Sequence, residues 1–153
     1  MADASGRLTF VLDENSSGLL RVLRAARADA HDRLVTLEQI GIAPGTLDPQ
    51  MLHDLGQKGR FALILRDSRV LDPVLQRQAW RASGVTLFIL GKRWGTLPLR
   101  ELARRSLFLW PSLVAHAEGG GQGVAWRVSP NVPSPAANAF RLVIGRHADP
   151  ATG

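Results

Sequence analysis

Short apolar segments alternate along this chain with longer segments whose apolar residues recur at helical spacing. Apolar and polar residues do not alternate within the short segments. Such continuously apolar segments are typical of strands that are buried on both faces. They lie at residues 8–12, 34–37, 61–65 and 85–90. Helical spacing follows the first of them at Leu19, Leu20 and Leu23. Asp-Pro pairs at 48–49 and 72–73 mark two further helix starts, because aspartate caps a helix and proline suits its first position.

The C-terminal part predicts one long helix and two short strands. The helix extends over 97–117, and Pro111 predicts a kink or break in it near Leu109, because proline lacks a backbone donor. The strands are expected at 124–128 and 140–144. The whole pattern predicts a single α/β domain over residues 1–153, with three layers and a mainly parallel central sheet flanked by helices.

Composition excludes several classes of protein and site. The chain has no cysteine, which excludes disulfide bonds, thiolate metal ligands and thiol nucleophiles. No apolar run approaches the ~18–20 residues of a membrane span. The first six residues lack the basic and apolar regions of a signal peptide. We therefore expect a cytoplasmic protein with no membrane association.

The net charge of +6 is unevenly distributed. Residues 1–91 carry eleven Lys and Arg against ten Asp and Glu, whereas residues 92–153 carry eight against three. A basic C-terminal part is suited to a polyanion such as a nucleic acid. Solubilising surface arginines explain the charge equally well.

Acidic residues follow two of the predicted strands. Asp13 and Glu14 follow the first strand, and Asp67 follows the third. The carboxyl ends of parallel strands meet at one edge of a sheet, and carboxylates that meet there repel one another unless a cation binds between them. Together with Asp48 they form an oxygen-only set, which suits Mg²⁺ or Mn²⁺ and phosphodiester hydrolysis. Glu14, Asn15, Glu38 and Asp72 are candidates to assist.

Each acid also has a structural explanation. Helix capping accounts for Asp72 and, equally with metal binding, for Asp48. Asn15 can cap the first helix, and Glu14 can face away from Asp13 because neighbouring strand residues face opposite sides. Arg66 and Arg69 beside Asp67 can form ion pairs with it.

Three short segments resemble a PIN-like domain. They are Leu-Asp-Glu-Asn at 12–15, Leu-Asp-Pro-Gln-Met-Leu at 47–52 and Gly-Arg-Phe-Ala-Leu-Ile-Leu-Arg-Asp-Ser-Arg-Val at 59–70. Their order and spacing are similar to the VapC-related branch of toxin–antitoxin proteins. The resemblance covers a core at about 7–130 and leaves a C-terminal strand and tail at 131–153. One position departs from that branch, because Leu65 stands where its members commonly have threonine.

The resemblance implies a metal-dependent endoribonuclease with Mg²⁺ or Mn²⁺ as cofactor. It implies catalytic and metal-binding roles for Asp13, Asp48 and Asp67. It also implies an RNA substrate, a toxin role with a cognate antitoxin protein as partner, and a homodimer.

Substrate contacts are expected from basic residues near the strand ends. The candidates are Arg66, Arg69, Lys92, Arg93 and Trp94, of which the tryptophan could stack on a base. Two other functions fit the same residues. One is a PIN-like module that binds RNA or protein without catalysis. The other is a phospho-acceptor receiver domain, with Asp13, Glu14, Asp67 and Lys92 at its acceptor site.

Overall fold

The continuously apolar segments form the centre of a six-stranded sheet with helices on both faces. The computed structural model describes residues 8–12, 17–26, 33–41, 49–65, 83–119, 123–131 and 135–144. The strands are β1 (Thr9–Leu12), β2 (Arg33–Thr36), β3 (Phe61–Leu65), β4 (Thr86–Ile89), β5 (Ala125–Val128) and β6 (Phe140–Ile144). The helices are α1 (Ser17–Ala25), α2 (Pro49–Lys58), the one-turn α3 (Lys92–Gly95) and α4 (Leu99–Gly119), with 3₁₀ turns at Glu38–Ile40 and Ala136–Ala139.

The strand order places β1 at a topological switch point. The order is β2-β1-β3-β4-β5-β6; the first five strands are parallel and β6 is antiparallel to β5. The chain passes from β2 back across β1 to β3, so the crossovers change direction between β1 and β3. Open α/β sheets bind ligands in the crevice outside the carboxyl ends of the strands at this point. The predicted fold class, a three-layer and mainly parallel α/β sheet, is confirmed.

Each face of the sheet contributes a separate hydrophobic core. Phe10, Ile64 and Phe88 lie on the face that packs against α1 and α4. Val11, Leu63 and Leu87 lie on the other face, where they cluster with Leu55 of α2. Successive residues of one strand therefore enter different cores, which explains why the strand segments are apolar throughout.

The long helix is not split near Leu109, so that form of the prediction is wrong, whereas a kink there stays a prediction. Helix α4 continues through Pro111, which is exposed, although the proline ring removes the hydrogen bond to the carbonyl of Leu107. Leu109 and Leu113 on either side of the proline are buried against the sheet. This packing stabilises a continuous helix on both sides of the proline.

The remaining elements agree with the prediction to within a few residues. Helix α2 starts where the Asp-Pro pair at 48–49 predicts, and strand β3 has the predicted bounds, whereas α3 and the two 3₁₀ turns were not predicted. The helix expected to start at Asp72 falls largely on residues 66–82, outside those that the structure describes. Within the described part of the chain, no helix is both long enough and apolar enough to cross a membrane.

Candidate functional site

The ends of β1 and β3 lie side by side at the switch point. Leu12, the last residue of β1, is opposite Ile64, the next-to-last residue of β3. In the sequence, Asp13 directly follows Leu12. Asp67 comes two residues after the end of β3.

Most of the predicted site residues lie outside the described residues. These are Asp13, Glu14, Asn15, Asp48, Arg66, Asp67, Arg69 and Asp72. Their convergence on one metal ion stays a prediction. Among the residues that the structure does describe, no three His, Asp or Glu side chains are grouped so as to hold a metal ion.

Glu38 is a predicted assisting acid whose position is described. It is exposed and begins the 3₁₀ turn after β2, at the same sheet edge, since Thr36 of β2 lies opposite Leu12. The backbone N–H of Thr36 donates to Gln39 Oε1 at 2.9 Å, and that of Gly41 donates to the Glu38 carbonyl at 3.0 Å. Glu38 is thus held at the candidate edge, and its assisting role stays a prediction.

A basic cleft lies farther along the same edge. It has a volume of about 350 Å³ and is enclosed by the residues after β4, the end of β5 and the start of β6. Four of the described residues that line it are cationic: Lys92, Arg93, Arg127 and Arg141. No acidic residue of the described chain lines it. The cleft is therefore suited to an anionic ligand.

Comparison with known families identifies the fold. The sequence profile described as PIN like domain matches residues 8–92, which is more than half of the chain. The chain belongs to the PIN-like domain family. Searches of curated proteins and of solved structures found no match. PIN-like domains are commonly nucleases, and the match includes both strands at the switch point.

The basic cleft lies mostly beyond the part of the chain that matches the PIN-like family. Of its four cationic residues, Lys92 is the last matched residue. Arg93, Arg127 and Arg141 come after the match. Family comparison therefore gives no role to most of the charge in this cleft.

Side chains from α3 and α4 fix one wall of the cleft. The Trp94 indole N–H donates to the Val128 carbonyl at 2.9 Å, and Arg93 Nη2 donates to Asn131 Oδ1 at 2.9 Å. Arg105 Nη1 donates to the Pro130 carbonyl at 3.0 Å. These bonds hold the segment that leaves β5 against the two helices. The wall is thus fixed before any ligand binds.

Trp94 does not have the predicted stacking role. Its side chain is only 5% exposed and belongs to the core beneath α1 and α4, so its ring has no free face for a base. The reason is local backbone geometry. Gly91 at φ 83° starts the one-turn helix α3, which leaves Lys92 and Arg93 exposed and Trp94 buried. Trp94 therefore positions the cleft wall. Substrate contacts by Lys92 and Arg93 stay predictions.

Arg127 and Arg141 are a pair that the sequence did not reveal. They lie directly opposite each other on the antiparallel strands β5 and β6, and both are exposed. Like charges in this relation destabilise a sheet. In the segment Ala125–Val128 the arginine lies between apolar residues, and this pattern is the one signal in the sequence for a side chain that faces solvent. The register that pairs Arg127 with Arg141 is a property of the fold alone.

Glu101 orients one of the arginines behind the cleft. It accepts hydrogen bonds from Arg104 at 2.9 Å and from Arg105 at 3.0 Å. The hydrogen bonds from Arg104 and Arg105 lower the pKa of Glu101 from its usual 4.5 to about 2. The carboxylate is therefore charged at neutral pH and directs Arg105 towards the Pro130 carbonyl.

Proposed function

We propose that this PIN-like protein is a metal-dependent endoribonuclease that hydrolyses RNA phosphodiester bonds. The observation that carries the proposal is the adjacency of β1 and β3 at the switch point, with Leu12 opposite Ile64. The predicted ligands Asp13 and Asp67 follow these two strand ends within two residues in the sequence. The third predicted ligand, Asp48, directly precedes α2.

The donor set of three carboxylates suits Mg²⁺ or Mn²⁺. Hard divalent cations prefer oxygen ligands, and the chain offers no thiolate for a softer metal. Such an ion, when bound, would polarise the phosphodiester and stabilise the charge that develops on it. Asp13, Asp48 and Asp67 would hold the ion. Glu14, Asn15, Glu38 and Asp72 are proposed to assist by orienting water or the metal ligands.

The basic cleft supports a polyanionic substrate. It opens on the same edge of the sheet as the switch point, and β5 is two strands from β3, roughly 10 Å at the usual strand spacing. An RNA strand that is cut at the switch point would run along this edge past Lys92 and Arg93. Arg66 and Arg69 are proposed to contact it nearer to Asp67.

We also propose that the activity is that of a toxin in a cytoplasmic toxin–antitoxin pair. The support is the resemblance of segments 12–15, 47–52 and 59–70 to the VapC-related branch. A cognate antitoxin protein would bind the enzyme and silence it, and the enzyme would act as a homodimer. Expression of the chain alone should arrest growth, and Asp13→Asn should relieve the arrest. Light scattering should give the mass of a dimer.

Cleavage of RNA by the purified protein tests the enzymatic proposal. Labelled single-stranded RNA should be cut with Mg²⁺ or Mn²⁺, and EDTA should stop the reaction. Asp13→Asn and Asp67→Asn should each lower the rate by at least about a hundredfold, because metal ions supply several kcal/mol of transition-state stabilisation. Glu118→Gln removes an exposed acid at the far end of α4 and should cut normally. Full activity in all three aspartate variants, including Asp48→Asn, would disprove the proposal.

A PIN-like module that binds RNA without cutting it is the second candidate. The observation that favours it is the basic cleft, whose cations and supporting hydrogen bonds need none of the aspartates. RNA that binds tightly but stays intact with Mn²⁺ would identify this function. Membership of the PIN-like family disfavours the receiver domain. Acetyl phosphate should accordingly add no phosphoryl group to Asp67.

A further inference from the structure

The paired arginines of β5 and β6 differ from four other arginines whose side chains are hydrogen-bonded within the protein. Arg24 donates to the Leu34 carbonyl, Arg93 to Asn131, and Arg104 and Arg105 to Glu101. The guanidinium groups of Arg24, Arg93 and Arg105 link separate segments of the chain, whereas that of Arg104 bonds within helix α4. Within the described residues, the guanidinium groups of Arg127 and Arg141 have no hydrogen bond and no carboxylate partner.

An anion between the paired arginines would remove their mutual repulsion. Residues directly opposite on antiparallel strands have Cα atoms about 5 Å apart, so both guanidinium groups can reach the same small anion. Arginine binds phosphate through two parallel N–H donors, and such bonds are stronger than neutral ones. A shared phosphate therefore turns an unfavourable pair into a favourable site.

We propose that Arg127 and Arg141 together clamp one backbone phosphate of a single-stranded RNA. The site deepens the proposed function, because the clamped phosphate belongs to the strand that is cut at the switch point. It lies roughly 10–14 Å from β3 at the usual strand spacing, within reach of a strand of a few nucleotides. Lys92 lines the same cleft from the end of β4 and adds to its positive potential.

An extended RNA strand fits this cleft better than a compact anion. The cleft holds about 350 Å³, which exceeds the need of one phosphate, and its lining includes Ser129 and Asn138 as further polar groups. Its lining residues lie at the same edge of the sheet as the ends of β1 and β3. A polymer with a phosphate at each residue can occupy the clamp and the switch point together.

Binding without metal separates the clamp from catalysis. Fluorescence anisotropy of a labelled 12-nucleotide RNA in EDTA compares wild type, the single variants Arg127→Gln and Arg141→Gln, the double variant of both, and a control with the same charge change as the double variant. The control is Arg21→Gln with Arg60→Gln, which removes two exposed arginines: Arg21 lies on α1, and Arg60 directly precedes β3 at the opposite edge of the sheet.

The clamp variant should bind about tenfold more weakly or worse, because hydrogen bonds to charged groups are the strong ones. Its salt slope should fall by about 0.7, the value for one phosphate contact on a single strand. Because both arginines hold the same phosphate, the second substitution should add little to the first. Equal binding by clamp and control variants would overturn the proposal, as would undetectable binding by wild type.

A charge reversal supplies a readout that a structural role would not give. Arg127→Glu places opposite charges across the strand pair, so the melting temperature should rise by about 1–3 °C while RNA binding is lost. A lowered melting temperature in both Arg127→Gln and Arg127→Glu would assign a structural role and overturn the clamp. Wild type that binds RNA through the clamp but never cuts it with Mn²⁺ would disprove only the nuclease. Normal cutting with a clamp variant that binds like wild type would disprove only the clamp.

Discussion

The central sheet differs between its amino edge, where the parallel strands β1 to β5 begin, and its carboxyl edge, where these strands end. At the amino edge, α2 returns to the sheet so closely that Gly56 lies against the backbone of Ser83. The cleft that remains there is about 140 Å³. At the carboxyl edge, a cleft of about 350 Å³ is lined by four cations, and the nearby strand ends lead into acidic sequence.

We therefore expect residues at the amino edge to contribute mainly to stability and residues at the carboxyl edge to contribute mainly to RNA binding and cleavage. At Gly56 the backbone of Ser83 leaves no room for an added side chain. The carboxyl edge keeps like charges close together, which costs stability unless a ligand is bound. Substitutions at the amino edge should therefore lower the free energy of unfolding, whereas substitutions at the carboxyl edge should lower RNA binding or cleavage.

The largest effect on chemistry is expected from Asp13→Asn. The rate of RNA cleavage should fall by at least about a hundredfold. The melting temperature without metal should stay the same or rise, because one negative charge of the proposed site is removed. Parallel cleavage assays and thermal melts measure both. A large fall in melting temperature together with the loss of activity would show that Asp13 stabilises the fold instead.

Gly56→Ala should cause the largest loss of stability. An added methyl group would collide with the Ser83 carbonyl, which is backbone and cannot move aside. We expect a loss of about 3 kcal/mol, at the upper end for overpacking. Gly18→Ala is the matched control, since its methyl group would lie 3.6 Å from Leu102 Cδ2, an ordinary contact. That variant should gain about 0.5–1 kcal/mol from helix propensity.

Urea unfolding of the two glycine variants and wild type gives the comparison. RNA binding by Gly56→Ala, measured well below its transition, should equal that of wild type. Similar stability of the two variants would show that the amino edge is less tightly closed than the structure indicates.

Trp94→Phe tests the wall that separates the cleft from the core. The change keeps an aromatic ring but removes the N–H, so the Val128 carbonyl loses its donor in a buried place. The free energy of unfolding should fall by about 1–2 kcal/mol. RNA binding should weaken less than in the clamp variant. Stability equal to wild type would mean that this hydrogen bond contributes little.

The smallest effect is expected from the acid behind the cleft. The pKa of Glu101 is lowered to about 2 by Arg104 and Arg105, so its contribution to stability is present above its usual pKa of 4.5. That contribution is lost as the pH falls through about 2. The difference in melting temperature between wild type and Glu101→Gln should thus be small at neutral pH and vanish towards pH 2. A difference that grows in acid would contradict this assignment.

The strands and α2 were predictable because their signals are local. Buried parallel strands are apolar throughout, and the Asp-Pro pair at 48–49 marks where α2 starts. Pro111 misled because tertiary packing of Leu109 and Leu113 outweighs one lost hydrogen bond. The single turn of α3 is too short to produce a helical period.

The acidic residues after the strands could be predicted from the sequence to a greater extent than the arginine pair of β5 and β6. Acids directly after an apolar strand could be predicted to share an edge, since parallel strands end together. Arg127 and Arg141 are 14 residues apart, and only the register of β5 and β6 makes them opposite. The buried position of Trp94 depends on the positive φ of Gly91, which spacing does not specify.

The central claim is that a metal ion binds at the switch point of the sheet. A crystal structure of the protein soaked in Mn²⁺, with anomalous scattering recorded, tests it most directly. We predict an anomalous peak outside the ends of β1 and β3, with carboxylate oxygens of Asp13 and Asp67 as ligands. A map with no peak there, or with Mn²⁺ bound only elsewhere, would contradict the account.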